Sequence, residues 1–247
     1  MILSDVVDEG RRLSGLLEQA GIRARLLGGV GIALHAHGPI PASLRRSYGD
    51  LDFAVRRADG PAFTRSLVAA GYEPNERFNA VHGAKRLLFY DPQNARQIDA
   101  FVGVFRMCHT LDLGSRLSAP GPSLAPVDLL LTKLQIVALN EKDVVDTVLL
   151  LSDHPVSSGP EAIDPLELVR IVGHDWGWYT TVSDNLARVA DHVEHTGTID
   201  HMIQRTVGER VADLRRTLEL APKTIGWRAR ATLGRRVPWH ETPEEVG

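Results

Sequence analysis

The sequence predicts an α+β protein, with a mixed β-sheet flanked by helices over residues 1–120 and a mainly helical C-terminal domain over 121–247. Three observations predict this. In the first half, segments of helical period interleave with short apolar segments of strand length. The stretch SAPGPSLAP, residues 118–126, is the richest Pro/Gly/Ser tract and marks a boundary. Beyond it, nearly every segment carries helical period.

The elements follow in order. Leu3, Val6, Val7, Leu13, Leu16, Leu17 and Ala20 recur at three- and four-residue intervals, a helix over 3–20 that Gly21 stops. RARLLGG reads as a strand running into a glycine turn, and VGIALHAHG as a short helix ending at Gly38. IPASLRRSYG is a loop and DLDFAVR a strand. DGPAFTRSLVAAG is a helix, with Asp59 near its start, Pro61 in its first turn and Gly71 at its end. AKRLLFYD and RQIDAFVGVF are strands joined by DPQNA, a hairpin connection. PVDLLLTKLQIVALN opens on Pro126 and Asp128, both suited to a helix N-terminus. EKDVVDTVLLLSD, DPLELVRIVGHDWGW, TVSDNLARVADHVE and DHMIQRTVGERVADLRRTLEL are further helices. The tail GWRARATLGRRVPWHETPEEV is less regular.

Hydrophobic residues make up 43% and charged residues 24%, ordinary for a globular chain. A net charge of −3 excludes polyanion binding by bulk charge. The charge is uneven, however. Residues 121–200 hold four Lys or Arg against thirteen Asp or Glu, whereas 205–236 hold nine against three. The basic segment fits either a nucleic-acid contact or a solvated helix face that offsets its acidic neighbour. The single cysteine, Cys108, allows no disulfide within the chain and fits a reducing cytoplasm. The N-terminus carries acids and arginines where a signal peptide needs an apolar run, and no apolar run is long enough to span a membrane.

The chemistry concentrates on three carboxylates. Asp50 and Asp52 stand two apart in a strand, so both face the same side. Two such carboxylates serve as a solvated strand end or as ligands of a hard cation, and Mg²⁺ is commonly held by one or two carboxylates plus substrate phosphates. Asp99 lies among Ile98, Ala100, Phe101 and Val102, where an isolated acid is costly unless paired or metal-bound. If its strand lies beside DLDFAV, three acids share one face and repel one another until a cation neutralises them. Upstream, Gly28 and Gly29 make a tight strand-to-helix turn whose free N–H groups suit a phosphate. The spacing is neither a dinucleotide-binding fingerprint nor a P-loop. His35 and His37, two apart on the expected helix, do not share a face, so no metal pair is expected there. No trusted ligand spacing links His82, His109, His154, His174 or His192. HDWGWYT, residues 174–180, reads as a helix-packing anchor or a base-stacking platform.

Taken together, LLGGVGIALHA, RRSYGDLDFAV, RQIDAFV, LAPVDLLLTKLQIVAL and EKDVVDTVLLL resemble the nucleotidyltransferase superfamily of the polymerase-beta type. Within it they look most like the AbiEii/AbiGii-type enzymes of bacterial toxin systems. The resemblance covers roughly residues 22–152. It implies a nucleotidyltransferase fold in which Gly28 and Gly29 contact nucleotide phosphates. Asp50 and Asp52 would hold Mg²⁺, and Asp99 would complete the site as ligand or base. Arg46 and Ser47 would bind nucleotide, with Arg45 an alternative phosphate contact. Lys133 would reach the triphosphate or, on the residues alone, snorkel from an apolar helix. Asp143 and Asp146 would complete a site or be solvated. The implied reaction moves an NMP from an NTP to an acceptor hydroxyl: tRNA in a toxin, or a small molecule such as an aminoglycoside. A catalytically idle nucleotide- or antitoxin-binding member is a further reading. Two positions depart from the pattern. Val30 stands where a serine is usual, and Tyr48 takes the hydroxylated position before the Asp pair.

Overall fold

The computed structural model describes residues 1–118 and 120–242; Ala119 in the Pro/Gly/Ser tract and residues 243–247 of the tail lie outside the described residues. The chain forms two compact units. The first comprises residues 1–35, 46–105 and 110–125, the second 36–45, 106–109 and 126–247.

The first unit is a mixed five-stranded sheet with helices. Its elements are α1 (Val6–Gln19), β1 (Ala24–Leu27), α2 (Gly28–Ala33), β2 (Asp50–Val55), α3 (Gly60–Ala69), β3 (Glu73–Pro74), α4 (Glu76–His82), β4 (Arg86–Asp91) and β5 (Arg96–Val102). A short two-stranded ribbon, β6 (Val104–Arg106) and β7 (Thr110–Asp112), follows. The sheet order is β1-β2-β5-β4-β3. Among these five strands the central β2–β5 pairing is parallel, and β1–β2, β4–β5 and β3–β4 are antiparallel.

Period-2 alternation divides the sheet into two faces. Leu26, Leu51, Phe53, Val55, Leu87, Phe89, Ile98, Ala100 and Val102 join Leu13, Leu17, Phe63 and Leu67 of α1 and α3 in one apolar cluster. The opposite face takes the intervening residues, among them Asp50, Asp52, Arg86 and Asp99. Burial of the first set fixes the register, because a slip of one residue would turn the acids into the core.

Several boundaries differ from expectation. The first helix starts at Val6, not Leu3, because the Asp5 carboxylate accepts the Val7 and Asp8 amides and ends the extended chain there. The Leu3 amide instead donates to buried Glu9, which also accepts Arg12 and the Tyr72 hydroxyl. Burial alone would raise the Glu9 carboxyl, but these donors outweigh it and hold it below the usual range. The second helix ends at Ala33, so His35 and His37 lie beyond it rather than on it. The short α4 and β3 were not expected from the sequence.

The second unit is helical: α5 (Pro126–Leu134), α6 (Glu141–Asp153), α7 (Pro165–Val172), α8 (Trp176–His195), α9 (His201–Leu220) and α10 (Ile225–Leu233). Asn140, Asp164, Asp175 and Asp200 cap α6 to α9 through their side chains. The Asp175 cap breaks DPLELVRIVGHDWGW, expected as one helix, into the whole of α7 and the start of α8. Helix α5 stops at Leu134, short of Asn140, which caps the next helix instead. Helices α6 to α8 surround α9, whose Val207, Val211, Leu214 and Leu218 are buried. Among the described residues no helix is long and apolar enough to cross a membrane.

Candidate active site

The parallel β2–β5 register sets the site. Asp52 pairs with Asp99 and Asp50 with Gln97. Asp50 and Asp52 project from one face of β2, and Asp99 projects from the same face of the neighbouring strand. Asp50 is exposed, Asp52 half-buried and Asp99 only 5% exposed. Burial pushes the Asp99 carboxyl above the usual range, and the nearby Asp50 charge pushes the same way; Arg86 opposes both without cancelling them. Like charges thus converge here, as the sequence pattern implied.

Arg86 is the residue that sequence reasoning missed. Its Nε donates to both Asp99 oxygens, at 2.9 and 3.0 Å, and a terminal nitrogen forms a further short contact with Oδ2. Its guanidinium also lies 5.1 Å from the Phe101 ring centre. The hairpin carried the signal. With turn residues 92–95 fixed, Leu88 falls opposite Asp99 and Arg86 lies diagonally beside it.

The glycine turn meets the acids through the antiparallel β1–β2 register, which sets Leu27 opposite Asp52. Gly28 follows with φ +66°, a left-handed conformation that favours glycine. A Cβ on Gly28 would collide with the Asp52 carboxylate, and one on Gly29 with the Arg46 guanidinium and the Tyr48 ring. Gly28 is required by its backbone conformation, and Gly29 makes room for the Arg46 and Tyr48 side chains. Arg46 stacks on Tyr48, 4.4 Å from the ring centre, and donates to the Ser47 carbonyl at 3.1 Å. The stretch that departs from the family pattern is thus packed onto the second glycine. Tyr48 gives Arg46 a flat platform where a small hydroxylated residue would not. Arg45 donates to the Ile40 carbonyl and belongs to the second unit.

Val30 has a structural reason. Its side chain is 2% exposed and joins Leu26 and Leu51 in the core above Gly10. An apolar residue fills this space; a serine hydroxyl would be buried among carbon atoms.

Lys133 lies in the second unit, where it joins α5 to α6 by ion pairs to Asp143 (2.6 Å) and Asp146 (2.9 Å). Burial alone would lower its pKa, but the two carboxylates outweigh burial and raise it.

The Gly-Gly turn, the D-x-D strand and the third acid thus meet around one parallel strand pairing. A family model described as "Uncharacterised nucleotidyltransferase" matches residues 5–154, more than half of the chain, and the chain belongs to that family. Among solved structures it is similar to an antigenic nucleotidyltransferase-like protein from Paracoccidioides brasiliensis. The two share 14% identity and a TM-score of 0.45 over 90% of this chain and 95% of that one. No curated protein matches the chain.

Proposed function

We propose that the protein is a Mg²⁺-dependent nucleotidyltransferase that moves an NMP from an NTP to an acceptor hydroxyl. The observation that carries this is the parallel register that brings Asp50, Asp52 and Asp99 to one face beside Gly28. The donor set fits Mg²⁺: hard carboxylate oxygens on adjacent strands, with the Asp99 carboxyl held above the usual range by burial and, to a lesser degree, by the Asp50 charge. Asp50 and Asp52 would hold the ion, with Asp99 beside them; when bound it supplies charge neutralisation on the phosphates and the departing pyrophosphate.

The chain's own residues do the rest. Gly28 and Gly29 let Asp52 and Arg46 approach the turn closely, and Arg46, held by Tyr48, offers the phosphates a permanently charged planar donor. Asp99 takes the acceptor proton, its basicity raised by burial and its carboxylate oriented by Arg86. The acceptor oxygen bonds to the α-phosphorus, the α-phosphorus to bridging-oxygen bond breaks, and pyrophosphate leaves. Lys133 ties two helices together rather than binding phosphate, in view of its two ion pairs.

For the acceptor we favour tRNA, the toxin-type reading with a cognate antitoxin in a cytoplasmic setting. Arg205, Arg215, Arg216 and Arg228 on α9 and α10 are exposed, which suits RNA phosphates. One observation favours a second reading, a catalytically idle nucleotide binder: Arg86 engages both oxygens of Asp99. Incubation with each α-labelled NTP and Mg²⁺ separates these readings, with total tRNA in one arm and aminoglycosides in another. Label in RNA supports the toxin reading, and label on an aminoglycoside supports small-molecule transfer. Absence of transfer, with Asp50→Ala and Asp52→Ala binding NTP and Mg²⁺ as wild type does, overturns the enzyme reading.

A further inference from the structure

We propose that His37, His154 and Glu161 form a binding site for a borderline divalent cation, of which Zn²⁺ is the type, within the helical unit. One ligand atom from each of the three residues lies within 4.8 Å of the others. The His37 and His154 rings meet edge to face, with centres 4.7 Å apart. All three residues belong to the second unit, so the cluster is complete within one compact body.

The backbone fixes each ligand by a different device. His154 is the C-cap of α6, and its amide donates to the Leu150 carbonyl. The His37 amide donates to the Asp153 carboxylate at 3.2 Å, which anchors the segment after α2 to the end of α6. Glu161 sits in a loop closed by the Val156–Ile163 bridge and by the Ile163 amide on the Pro155 carbonyl at 2.9 Å.

The imidazole chemistry is equally specific. His154 is fully buried, and its Nδ1 lies 2.8 Å from the Glu161 carbonyl oxygen. A carbonyl oxygen only accepts, so Nδ1 carries the proton and Nε2 carries the lone pair. A ring N–H given to a backbone carbonyl is the usual outer support of a metal-bound histidine. Two imidazoles and one carboxylate suit Zn²⁺ better than Mg²⁺, which prefers oxygen ligands throughout. Bonds of about 2.0–2.2 Å bring tetrahedral ligand atoms roughly 3.5 Å apart. The cluster must therefore close by about 1 Å, which His37 and Glu161, both exposed, would do by turning inward. A bound ion would clip residues 36–45, which lead directly to Arg46, onto the end of α6.

Neither spacing nor helical period reveals this set, because His37 and His154 are far apart in sequence, His37 beyond α2 and His154 at the cap of α6. The test is Zn²⁺ titration by calorimetry on untagged full-length protein carrying Asp50→Ala and Asp52→Ala, so that the first unit's acids do not contribute. A single Zn²⁺ per chain is expected, with His37→Ala and Glu161→Gln each weakening affinity by about tenfold or more. Excess Mg²⁺ should not compete. The two substituted residues are exposed, so circular dichroism should report an unchanged fold. Zn²⁺ should raise the melting temperature of the parent and not of the variants. Absence of Zn²⁺ binding by the parent, or Zn²⁺ binding that both substitutions leave unchanged, overturns the proposal.

Discussion

Two clusters of charged side chains, one in each unit, look alike on paper and differ in kind. On the sheet, Asp50, Asp52 and Asp99 converge, and the proximity of Asp50 helps to raise the Asp99 carboxyl. Between α5 and α6, Asp143 and Asp146 converge on Lys133, and both carboxylates raise the lysine. In the first cluster like charge adds to burial in raising Asp99 even beside Arg86; in the second, opposite charge overcomes burial and two acids close on one lysine. A cluster with residual like-charge repulsion costs the fold stability. A matched cluster holds elements in place. The distinction lies in the partners and not in the count of acids, since both clusters belong to segments of the family resemblance.

Removing one charge from each cluster separates the two most sharply. Asp50→Asn, at an exposed position, should lower nucleotidyl transfer by about 10³-fold, measured with labelled NTP, and leave the melting temperature unchanged or raised. A large loss of stability there would make the sheet acids structural. Lys133→Met should do the converse. Leaving two carboxylates without their buried cation should cost about 3 kcal/mol in denaturant unfolding. Adding Asp143→Asn and Asp146→Asn should recover most of that loss, whereas nucleotide affinity stays that of wild type throughout.

The helical unit has its own acid-sensitive point, separate from the lysine cluster. His109 is buried, stacks on Trp178 at 4.9 Å and lies 2.9 Å from the Thr181 hydroxyl. Burial lowers its pKa to about 4 from the ordinary 6.5, with Asp175 and Glu241 opposing and His240 assisting. The folded state therefore binds fewer protons than the unfolded chain in this window. Stability should fall as pH drops from 6.5 towards 4, by up to a few kcal/mol, and be fully present above 6.5. His109→Gln should flatten that slope in urea titrations at each pH. An unchanged slope would move the acid sensitivity elsewhere. The smallest effect is expected at Arg86. Arg86→Lys keeps the charge but loses the two-oxygen fork, and should cost about tenfold in turnover with little change in NTP affinity. A rise in turnover would instead favour the idle-binder reading, in which Arg86 silences Asp99.

Much of the sheet site was legible because its signals are local. Asp50 and Asp52 share a face by strand period alone, and the Gly28–Gly29 turn and the 92–95 hairpin announce themselves through turn chemistry. Arg86 needed register, which is a property of two strands and not one. The partners of Lys133 sit on another helix, so no single-helix spacing reveals them. The break at Asp175 was visible in principle, since Gly173 and Asp175 are stop and cap residues in succession; the apolar period on either side masked it. The early end of α2 had no such signal. It places His37 at the end of α6, a long-range outcome that no local pattern encodes.

The claim that the sheet acids are a nucleotide-transfer site is tested most directly by calorimetric NTP binding with and without Mg²⁺. Wild type should bind NTP markedly more tightly with Mg²⁺ present, and Asp50→Asn and Asp52→Asn should each abolish that difference. NTP affinity that is indifferent to Mg²⁺, or a Mg²⁺ effect that survives both substitutions, would contradict the account.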